Sequence, residues 1–248
     1  MYWPRDLGHE YELVEDEEYL QILDVKRRTF GRAADIVEEF VRPPARLLEV
    51  GSYAGVFLDV CRNRGFEVVG VEPSTWGTHV ARSAGLDVRQ GTAEALLGDL
   101  GDQAFDVVTS WDVLEHVADP AAFVQLLATC TRTDGHVILS TIVRDNWFAR
   151  VTGKRWPWLI PMHLHYFDFA SVEMLGREAG LQLVKTTPHV HWTSMSYAFS
   201  RLMRRSSAPR ASRRGISRIT FPVGLGDVQV FVFWKRSIDV DPIPRQTP

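Results

Sequence analysis

The sequence predicts an α/β fold built on a mostly parallel, doubly wound sheet with helices on both faces. Short runs rich in Val, Leu and Ile alternate along the chain with segments of helical spacing. The predicted strands are residues 46–50, 67–71, 87–90, 106–110 and 137–140, and the predicted helices are 56–64, 75–84 and 120–131. This alternation is typical of βαβ units, whose parallel sheets bind ligands at the carboxyl ends of their strands.

Helical spacing after an acidic start predicts a leading helix at residues 17–40, which Pro43 and Pro44 end. Residues 1–44 are therefore predicted as a helical lead-in. Residues 45–236 are predicted as the main domain, and the proline-containing residues 237–248 as a flexible tail.

The second half of the main domain departs from strict alternation. An insertion at about residues 144–168 is crowded with aromatic side chains. A helix is predicted from about residue 170, with Asp168 as its N-cap and Gly180 at its end. Strands are predicted at 181–186 and 228–234, and a basic, serine-rich segment lies between them at about 201–218.

Composition and charge restrict the classes of partner. The chain has 248 residues, 45% of them hydrophobic, and a formal net charge of -3, which gives no overall field for a polyanion such as nucleic acid. The two cysteines, Cys61 and Cys130, lie in apolar helical patterns, as expected of buried thiols in a reducing compartment. We therefore expect a cytoplasmic protein without a signal peptide and without stable membrane insertion.

The strongest functional signal follows the first two predicted strands. The first strand ends in Glu49-Val-Gly51-Ser52-Tyr53-Ala-Gly55, and the second ends in Glu72-Pro73. Glycine after a buried strand allows a sharp turn and close approach of a ligand. An acidic side chain at the end of the second strand can accept hydrogen bonds from both ribose hydroxyls. Together these features predict an adenosine-containing ligand.

The glycine spacing narrows the choice of ligand. The pattern is G-x-x-x-G without lysine, so it matches neither the dinucleotide fingerprint nor the phosphate-binding loop. An acid at position 49, two residues before Gly51, fits poorly beside a pyrophosphate but suits a ligand that carries positive charge. S-adenosylmethionine, which has both an ammonium and a sulfonium group, is the cofactor that these residues favour.

Residues 47–57 resemble motif I of the class I S-adenosylmethionine-dependent methyltransferases, written [DE]-x-G-x-G-x-G. Glu49, Gly51 and Gly55 match it, and Tyr53 stands where the family has its middle glycine. Glu72 matches the ribose-binding acid of the family. Further segments are similar to the adenine loop, the fourth-strand motif and the closing hairpin, at 91–94, 105–117 and 222–236.

The resemblance implies a Rossmann-like, seven-stranded sheet with an antiparallel C-terminal hairpin. It also implies a set of cofactor-binding residues, namely Glu49, Gly51, Ser52, Tyr53, Gly55, Glu72, Pro73, Thr92, Ala93, Trp111, Asp112 and His116. Structural interpretations remain open for some of them. Trp111 can be a core residue, and Glu115 and His116 can fix the geometry of the loop through hydrogen bonds.

Methyl transfer from a sulfonium requires the protein to orient the acceptor and exclude water, and a hydroxyl acceptor also benefits from a base. His163 and His165 are the candidate bases. Their region resembles the substrate-covering insertion of bacterial methyltransferases that act on sugars, polyketides or lipids. The expected acceptor is therefore a small molecule, free, glycosylated or carrier-bound, and the expected substrate-binding residues are Trp147, Trp156, Trp158 and Tyr166.

Several alternatives remain open. His163 with His165, and His189 with His191, would each share one face of an extended segment. No Cys or carboxylate stands at ligand spacing beside them, so no metal is expected. The basic segment is interpreted as a solvated surface, or else as an attractor of phosphorylated substrate or an anionic membrane.

The alternative functions are a methyltransferase-like binding or scaffold protein, which Tyr53 keeps open, and a nicotinamide-dependent oxidoreductase, against which the missing G-x-G-x-x-G pattern argues. The sequence leaves the oligomeric state and the acceptor's identity open.

Overall fold

The computed structural model of the protein describes residues 17–20, 22–92, 95, 105–194 and 220–236. The strands in this part of the chain are β1 (Arg46–Val50), β2 (Glu67–Glu72), β3 (Val88–Gln90), β4 (Phe105–Trp111), β5 (Thr131–Ile142), β6 (Gln182–Pro188), β7 (His191–Ser194), β8 (Thr220–Val223) and β9 (Val228–Trp234). The helices are α1 (Glu17–Leu20), α2 (Leu23–Glu38), α3 (Val56–Asn63), α4 (Thr75–Ser83), α5 (Pro120–Cys130), α6 (Trp147–Thr152) and α7 (Phe169–Glu178).

Seven of these strands form one sheet in the order β3-β2-β1-β4-β5-β9-β6. Strands β1 to β5 pair in parallel, and β9 runs antiparallel to both β5 and β6. The strand order reverses between β1 and β4, so the loops after these two strands lie side by side at the carboxyl edge. This confirms the expected doubly wound, mostly parallel α/β sheet with an antiparallel pair at its end.

The C-terminal part of the sheet contains a feature that the sequence did not reveal. β9 pairs with β6 rather than with residues 222–223. Those residues lie in β8, which forms a separate antiparallel pair with β7. This small sheet rests on α2, where the backbone N–H of Trp192 donates to Oγ1 of Thr29 at 2.8 Å.

Two predicted elements differ in extent from those observed. The leading helix is interrupted at residue 22, so that α1 and α2 replace the single helix expected at 17–40. Strand β5 begins at Thr131, six residues before the predicted start at 137, because an irregular register between Phe105 and Val107 lets the polar segment after α5 join the sheet.

The sheet separates two apolar layers, because consecutive residues of a strand face opposite sides. Leu47 packs on one side with Phe57, Cys61 and the alanines of α2. Leu48 packs on the other with side chains of α5 and α7. Both cysteines are buried and unpaired, as predicted.

The predicted start of α7 is also confirmed, since the carboxylate of Asp168 accepts the backbone N–H of Ser171 at 2.8 Å as an N-cap. No helix among the described residues has the length and apolar character needed to cross a bilayer. Residues 1–16, Ala93, the basic segment and the tail at 237–248 lie outside the described residues.

Candidate active site

The loop after β1 is confined by its neighbours. Gly51 and Gly55 have φ values of +82° and +72°, in the left-handed region that favours glycine. A Cβ atom at Gly51 would lie 2.5 Å from Cγ2 of Val113, and one at Gly55 would lie 2.5 Å from Cδ1 of Leu86. The glycines are thus required by packing, and Gly51 brings the loop after β1 directly against the loop after β4.

Tyr53 has φ of +45°, in the left-handed region that favours glycine. Its ring lies between Tyr19 and Trp76, with centroid distances of 4.8 and 5.5 Å. The contacts with α1 and α4 help to hold a conformation that costs about 1–2 kcal/mol for a residue with a side chain. The loop therefore keeps a glycine-like backbone at this position despite the tyrosine.

Glu72 connects the loops after β1 and β2. Its side chain is 1% exposed. Oε2 accepts the backbone N–H of Tyr53 at 2.7 Å, and Oε1 accepts that of Ser74 at 2.8 Å. Burial raises the pKa of Glu72, and the two hydrogen bonds oppose that rise. Ser74 in turn caps α4 by accepting the N–H of Gly77. The side chain of Glu72 therefore stabilises the two loops, whereas the N-cap of α4 is Ser74.

Glu49 is buried at the same edge and lacks a partner for one oxygen. Its side chain is 2% exposed, and neither its Oε2 nor Oγ of Ser52 has a hydrogen-bond partner among the described residues. Burial, and secondly the charge of Glu72, raise the pKa of Glu49 well above its ordinary value. Buried polar atoms without partners are costly, and a ligand carrying an ammonium group would supply the missing donor. These residues therefore fit S-adenosylmethionine.

The remaining cofactor residues predicted on this side are less enclosed. Pro73 is half-buried, and Thr92 is exposed directly after β3. Oγ1 of Thr92 accepts the backbone N–H of Ala95 at 3.3 Å. Ala93 lies outside the described residues, so its adenine contact stays a prediction.

Trp111 and Asp112 end β4 beside the glycine loop. Trp111 is 6% exposed and packs edge-on against Phe57, with centroids 5.1 Å apart, in agreement with its interpretation as a core residue. Asp112 has φ of +55°. Its backbone N–H donates to Oγ of Ser140 at 2.9 Å, and that hydroxyl donates back to Oδ1 of Asp112 at 2.6 Å. The carboxylate of Asp112 is thus held at the carboxyl edge.

His189 and His191 face Asp112 from the end of β6 and the start of β7. Their rings lie 4.2 Å apart, and His189 stacks on Trp111 at 5.5 Å. Nε2 of His191 is 3.9 Å from Oδ2 of Asp112. Burial is the main cause that lowers the pKa of both histidines, to about 4 for His189. The sequence predicts that the two imidazoles share a face if the segment is extended, but nothing in their spacing indicates Asp112.

A second polar cluster joins the aromatic insertion to the loop after β4. Glu115 is 2% exposed, and its carboxyl group accepts Oγ1–H of Thr141 at 2.8 Å. Burial, and secondly the charge of Asp112, raise the pKa of Glu115 to about 8. Nδ1 of His116 lies 2.9 Å from the carbonyl oxygen of Met162. These contacts agree with the interpretation that Glu115 and His116 fix the loop, and the predicted cofactor contact of His116 stays a prediction.

The two histidines predicted as bases differ in their surroundings. Nδ1 of His163 lies 2.8 Å from the carbonyl oxygen of Trp158. Because a carbonyl only accepts, Nδ1 carries a proton in this hydrogen bond. His163 also packs edge-on against His116 at 4.8 Å. His165 is half-buried, stacks on Phe167 at 5.9 Å and donates its backbone N–H to the carbonyl of Glu115.

The aromatic insertion has a small core of its own. Nε1–H of Trp156 and of Trp158 donate to the same oxygen of Asp227, at 3.4 and 2.8 Å. Tyr166 donates to the carbonyl oxygen of Trp158 or Ile160, each 3.3 Å away. These contacts hold three of the four predicted substrate-binding residues in the insertion.

The fourth such residue, Trp147, is 62% exposed. Trp156 and Tyr166 also line a surface cleft of about 290 Å³, together with Arg144 and Arg150. The predicted acceptor contacts are therefore confined to the ring faces and edges that these internal contacts leave accessible.

Comparison with known proteins agrees with this geometry. A family model described as "Methyltransferase domain" matches residues 25–186, more than half of the chain. Ubiquinone biosynthesis O-methyltransferase of Aeromonas salmonicida is 31% identical over 62% of this chain and 69% of its own length. The protein of the same name from Stutzerimonas stutzeri is 34% identical over 55% of this chain and 64% of its own length. The chain thus spans about two thirds of these relatives.

Among solved structures, an S-adenosylmethionine-dependent methyltransferase from Archaeoglobus fulgidus is 18% identical, with a TM-score of 0.61 over 89% of this chain and 100% of that one. At that identity the likeness shows the fold alone. Combined with the matched family model, the glycine loop and the paired acids Glu49 and Glu72, it identifies the chain as a member of the class I S-adenosylmethionine-dependent methyltransferases.

Proposed function

We propose that the protein transfers the methyl group of S-adenosylmethionine to a hydroxyl group of a small-molecule acceptor. The observation that carries this proposal is the contact of Gly51 with Val113, which sets the proposed cofactor loop against the loop that bears Asp112, Glu115 and His116. A sulfonium held by the first loop would therefore lie next to polar groups that can orient an acceptor.

On the cofactor side, Glu49 would bind the ammonium group and Glu72 the ribose hydroxyls. Both oxygens of Glu72 already accept a backbone N–H, but a carboxylate has about four lone-pair sites, so the ribose hydroxyls can be added. The bound cofactor supplies the electrophilic methyl group. The protein supplies position and exclusion of water.

On the acceptor side, His163 is the preferred base. A hydroxyl becomes a strong nucleophile as it loses its proton, and neutral imidazole suits that task near pH 7. The hydrogen bond between Nδ1 and the carbonyl of Trp158 directs the lone pair of His163 to Nε2. His165 is the second candidate.

Methylation at oxygen is supported by the relatives named for ubiquinone biosynthesis O-methylation. Of the sugar, polyketide and lipid-type acceptors considered, their name favours the lipid type. Trp147, Trp156, Trp158 and Tyr166 would cover an apolar portion of that acceptor. Arg144 and Arg150, beside the cleft in the insertion, suit an acceptor with an acidic or carrier-linked phosphate group. We further propose a cytoplasmic location, which the two buried, unpaired thiols support.

Calorimetry with S-adenosylmethionine and S-adenosylhomocysteine tests the cofactor. We expect both to bind, and failure of both would overturn the proposal. Turnover is then measured as S-adenosylhomocysteine release with an acceptor panel comprising a prenylated phenol, a polyketide phenol and a sugar. Cofactor binding without transfer to any of them would favour the binding or scaffold function instead.

The base is tested separately at saturating cofactor with His163→Ala and His165→Ala. We expect a loss of about 100-fold in turnover for the true base, within the range that general base catalysis contributes. Unchanged rates in both variants would remove these histidines from the mechanism.

A further inference from the structure

We propose that Asp112, His189 and His191 form a binding site for a divalent transition-metal ion, with Zn²⁺ as its best-matched occupant. The three side chains come from the loop after β4, the segment after β6 and the first residue of β7. Each contributes one ligand atom, and these atoms lie within 4.8 Å of one another.

The buried nitrogen atoms are the first argument for a ligand. His189 is 4% exposed, and neither its Nε2 nor that of His191 has a hydrogen-bond partner among the described residues. A buried polar atom without a partner is destabilising, and a bound ion is one way to satisfy it. Here two such atoms converge with one carboxylate.

The way these side chains are held is the second argument. Oδ1 of Asp112 accepts the hydroxyl of Ser140 at 2.6 Å, while Oδ2 faces Nε2 of His191 at 3.9 Å. His189 is fixed by stacking on Trp111 and by its backbone N–H, which donates to Val228 at 2.9 Å. Metal sites typically have ligands oriented by such surrounding contacts.

The ligand types select the ion. Two imidazole nitrogens and one carboxylate are a set used for Zn²⁺ and for other first-row divalent ions, whereas Mg²⁺ and Ca²⁺ prefer oxygen ligands throughout. At Zn²⁺ bond lengths of about 2.0–2.1 Å, tetrahedral ligands lie roughly 3.3 Å apart. Nε2 of His191 and Oδ2 of Asp112 lie 3.9 Å apart, so binding would draw these side chains closer together.

The electrostatic surroundings favour neutral, ligating imidazoles. Burial is the main cause that lowers the pKa of both histidines, and the neutral form of imidazole is the one that binds a metal. Among the charges that act on His191, Asp112 has the largest effect and raises its pKa, Lys26 lowers it, and Asp227 raises it. The carboxylate of Asp112 therefore provides the main attraction for a cation.

Three protein ligands leave a coordination position open, as in catalytic rather than structural zinc sites. An acceptor oxygen at that position would lose its proton more readily, because a bound cation lowers the pKa of its oxygen ligands. This use of the ion rests on the proposed methyl transfer. The metal site itself does not, and its test measures binding.

The test titrates Zn²⁺, and separately Mg²⁺, into the full chain after treatment with a chelator, using calorimetry. Co²⁺ serves as a spectroscopic probe, because its visible absorption reports nitrogen and oxygen coordination. The variants are Asp112→Asn, His189→Gln and His191→Gln, each checked for folding by circular dichroism. The matched control is His136→Gln, since His136 also has a buried, unpartnered nitrogen. Among the described residues, it belongs neither to the proposed site nor to the second group with convergent ligand atoms, Glu115, His116 and His163.

We expect about one Zn²⁺ per chain, with affinity at least tenfold weaker for Mg²⁺ and at least tenfold weaker for Zn²⁺ in each of the three variants. His136→Gln should bind Zn²⁺ as the wild type does and keep the Co²⁺ spectrum. The proposal fails if Zn²⁺ does not bind, if folded variants bind it undiminished, or if His136→Gln weakens binding equally. If Zn²⁺ binds but methyl transfer persists in the presence of chelator, the metal site stands and only its role in the reaction is rejected.

Discussion

Two groups of buried polar side chains lie at the carboxyl edge of the sheet, and they are assembled differently. The cofactor edge, residues 49–55 and 72–74, comes from one βαβ unit of the chain. The histidine edge, residues 111–116, 163–165 and 189–191, comes from three segments separated by long stretches of sequence. Both meet where the strand order reverses.

The two edges also differ in how their polar groups are satisfied. At the cofactor edge, Glu72 accepts two backbone N–H groups, and Oε2 of Glu49 and Oγ of Ser52 lack partners among the described residues. At the histidine edge, two imidazole nitrogens and the indole N–H of Trp111 lack partners among the described residues. The cofactor edge is therefore largely formed before a ligand binds, whereas the histidine edge has more polar atoms that a ligand could satisfy.

The largest expected effect is at Glu72. Glu72→Ala removes the proposed acceptor of both ribose hydroxyls, and a hydrogen bond to a charged group contributes about 1.5–3 kcal/mol. It also leaves the N–H groups of Tyr53 and Ser74 without their acceptor. We expect S-adenosylmethionine affinity, measured by calorimetry, to fall at least about 100-fold, since about 1.4 kcal/mol corresponds to tenfold.

The control for this change is Glu67→Ala at the exposed start of the same strand, which should bind the cofactor normally. A folded Glu72→Ala protein with undiminished affinity would reject the ribose contact and the distinction drawn between the two edges.

The contact between the two edges can be tested at Gly51. Gly51→Ala places a Cβ atom 2.5 Å from Val113, at φ of +82°. Backbone strain of about 1 kcal/mol and overpacking of about 1–3 kcal/mol should both lower the free energy of unfolding, measured in urea. Gly180→Ala is the matched control, because Gly180 has φ of +75° but nothing within 4 Å of the added atom. An equal decrease in the free energy of unfolding in the two variants would mean that Gly51 and Val113 are not in close contact.

The sequence predicts the cofactor edge better than the histidine edge. The cofactor edge is local, so glycine spacing and a strand-terminal acid are visible in the chain, and the sheet follows from hydrophobic alternation. Asp112 and His189 meet only after β4 and β6 are placed, which is why no carboxylate was expected near the histidines. The β7–β8 pair was missed because its two short strands are separated by a long segment, and strand pairing at a distance leaves no local pattern.

A smaller effect on stability is expected from the titration of Glu115, a carboxyl group of the histidine edge. Its pKa is raised to about 8, chiefly by burial and then by Asp112, against about 4.3 in an unfolded chain. Between these values the folded state holds a proton that the unfolded state releases, so the free energy of unfolding should decrease as pH rises, by at most about 1.4 kcal/mol per pH unit.

Glu115→Gln keeps an acceptor for Thr141 and removes this titration. Its stability relative to wild type, from urea unfolding at pH 6, 7 and 8, should therefore increase with pH. Glu178→Gln, at an exposed position of α7, is the control and should show no such trend. A pH-independent difference for Glu115→Gln would place the carboxyl group in a more solvated environment than the structure gives it.

The smallest expected effect concerns Tyr53, the residue that departs from the family's motif. Tyr53→Gly relieves about 1 kcal/mol of left-handed backbone strain, but it loses ring contacts with Tyr19 and Trp76 that contribute a similar amount. The melting temperature should change by only a few degrees. S-adenosylmethionine affinity should change by less than about tenfold, because the loop already has the glycine conformation. If Tyr53→Gly instead converts a protein without transfer activity into an active one, the tyrosine blocks catalysis, and the cofactor edge serves binding alone.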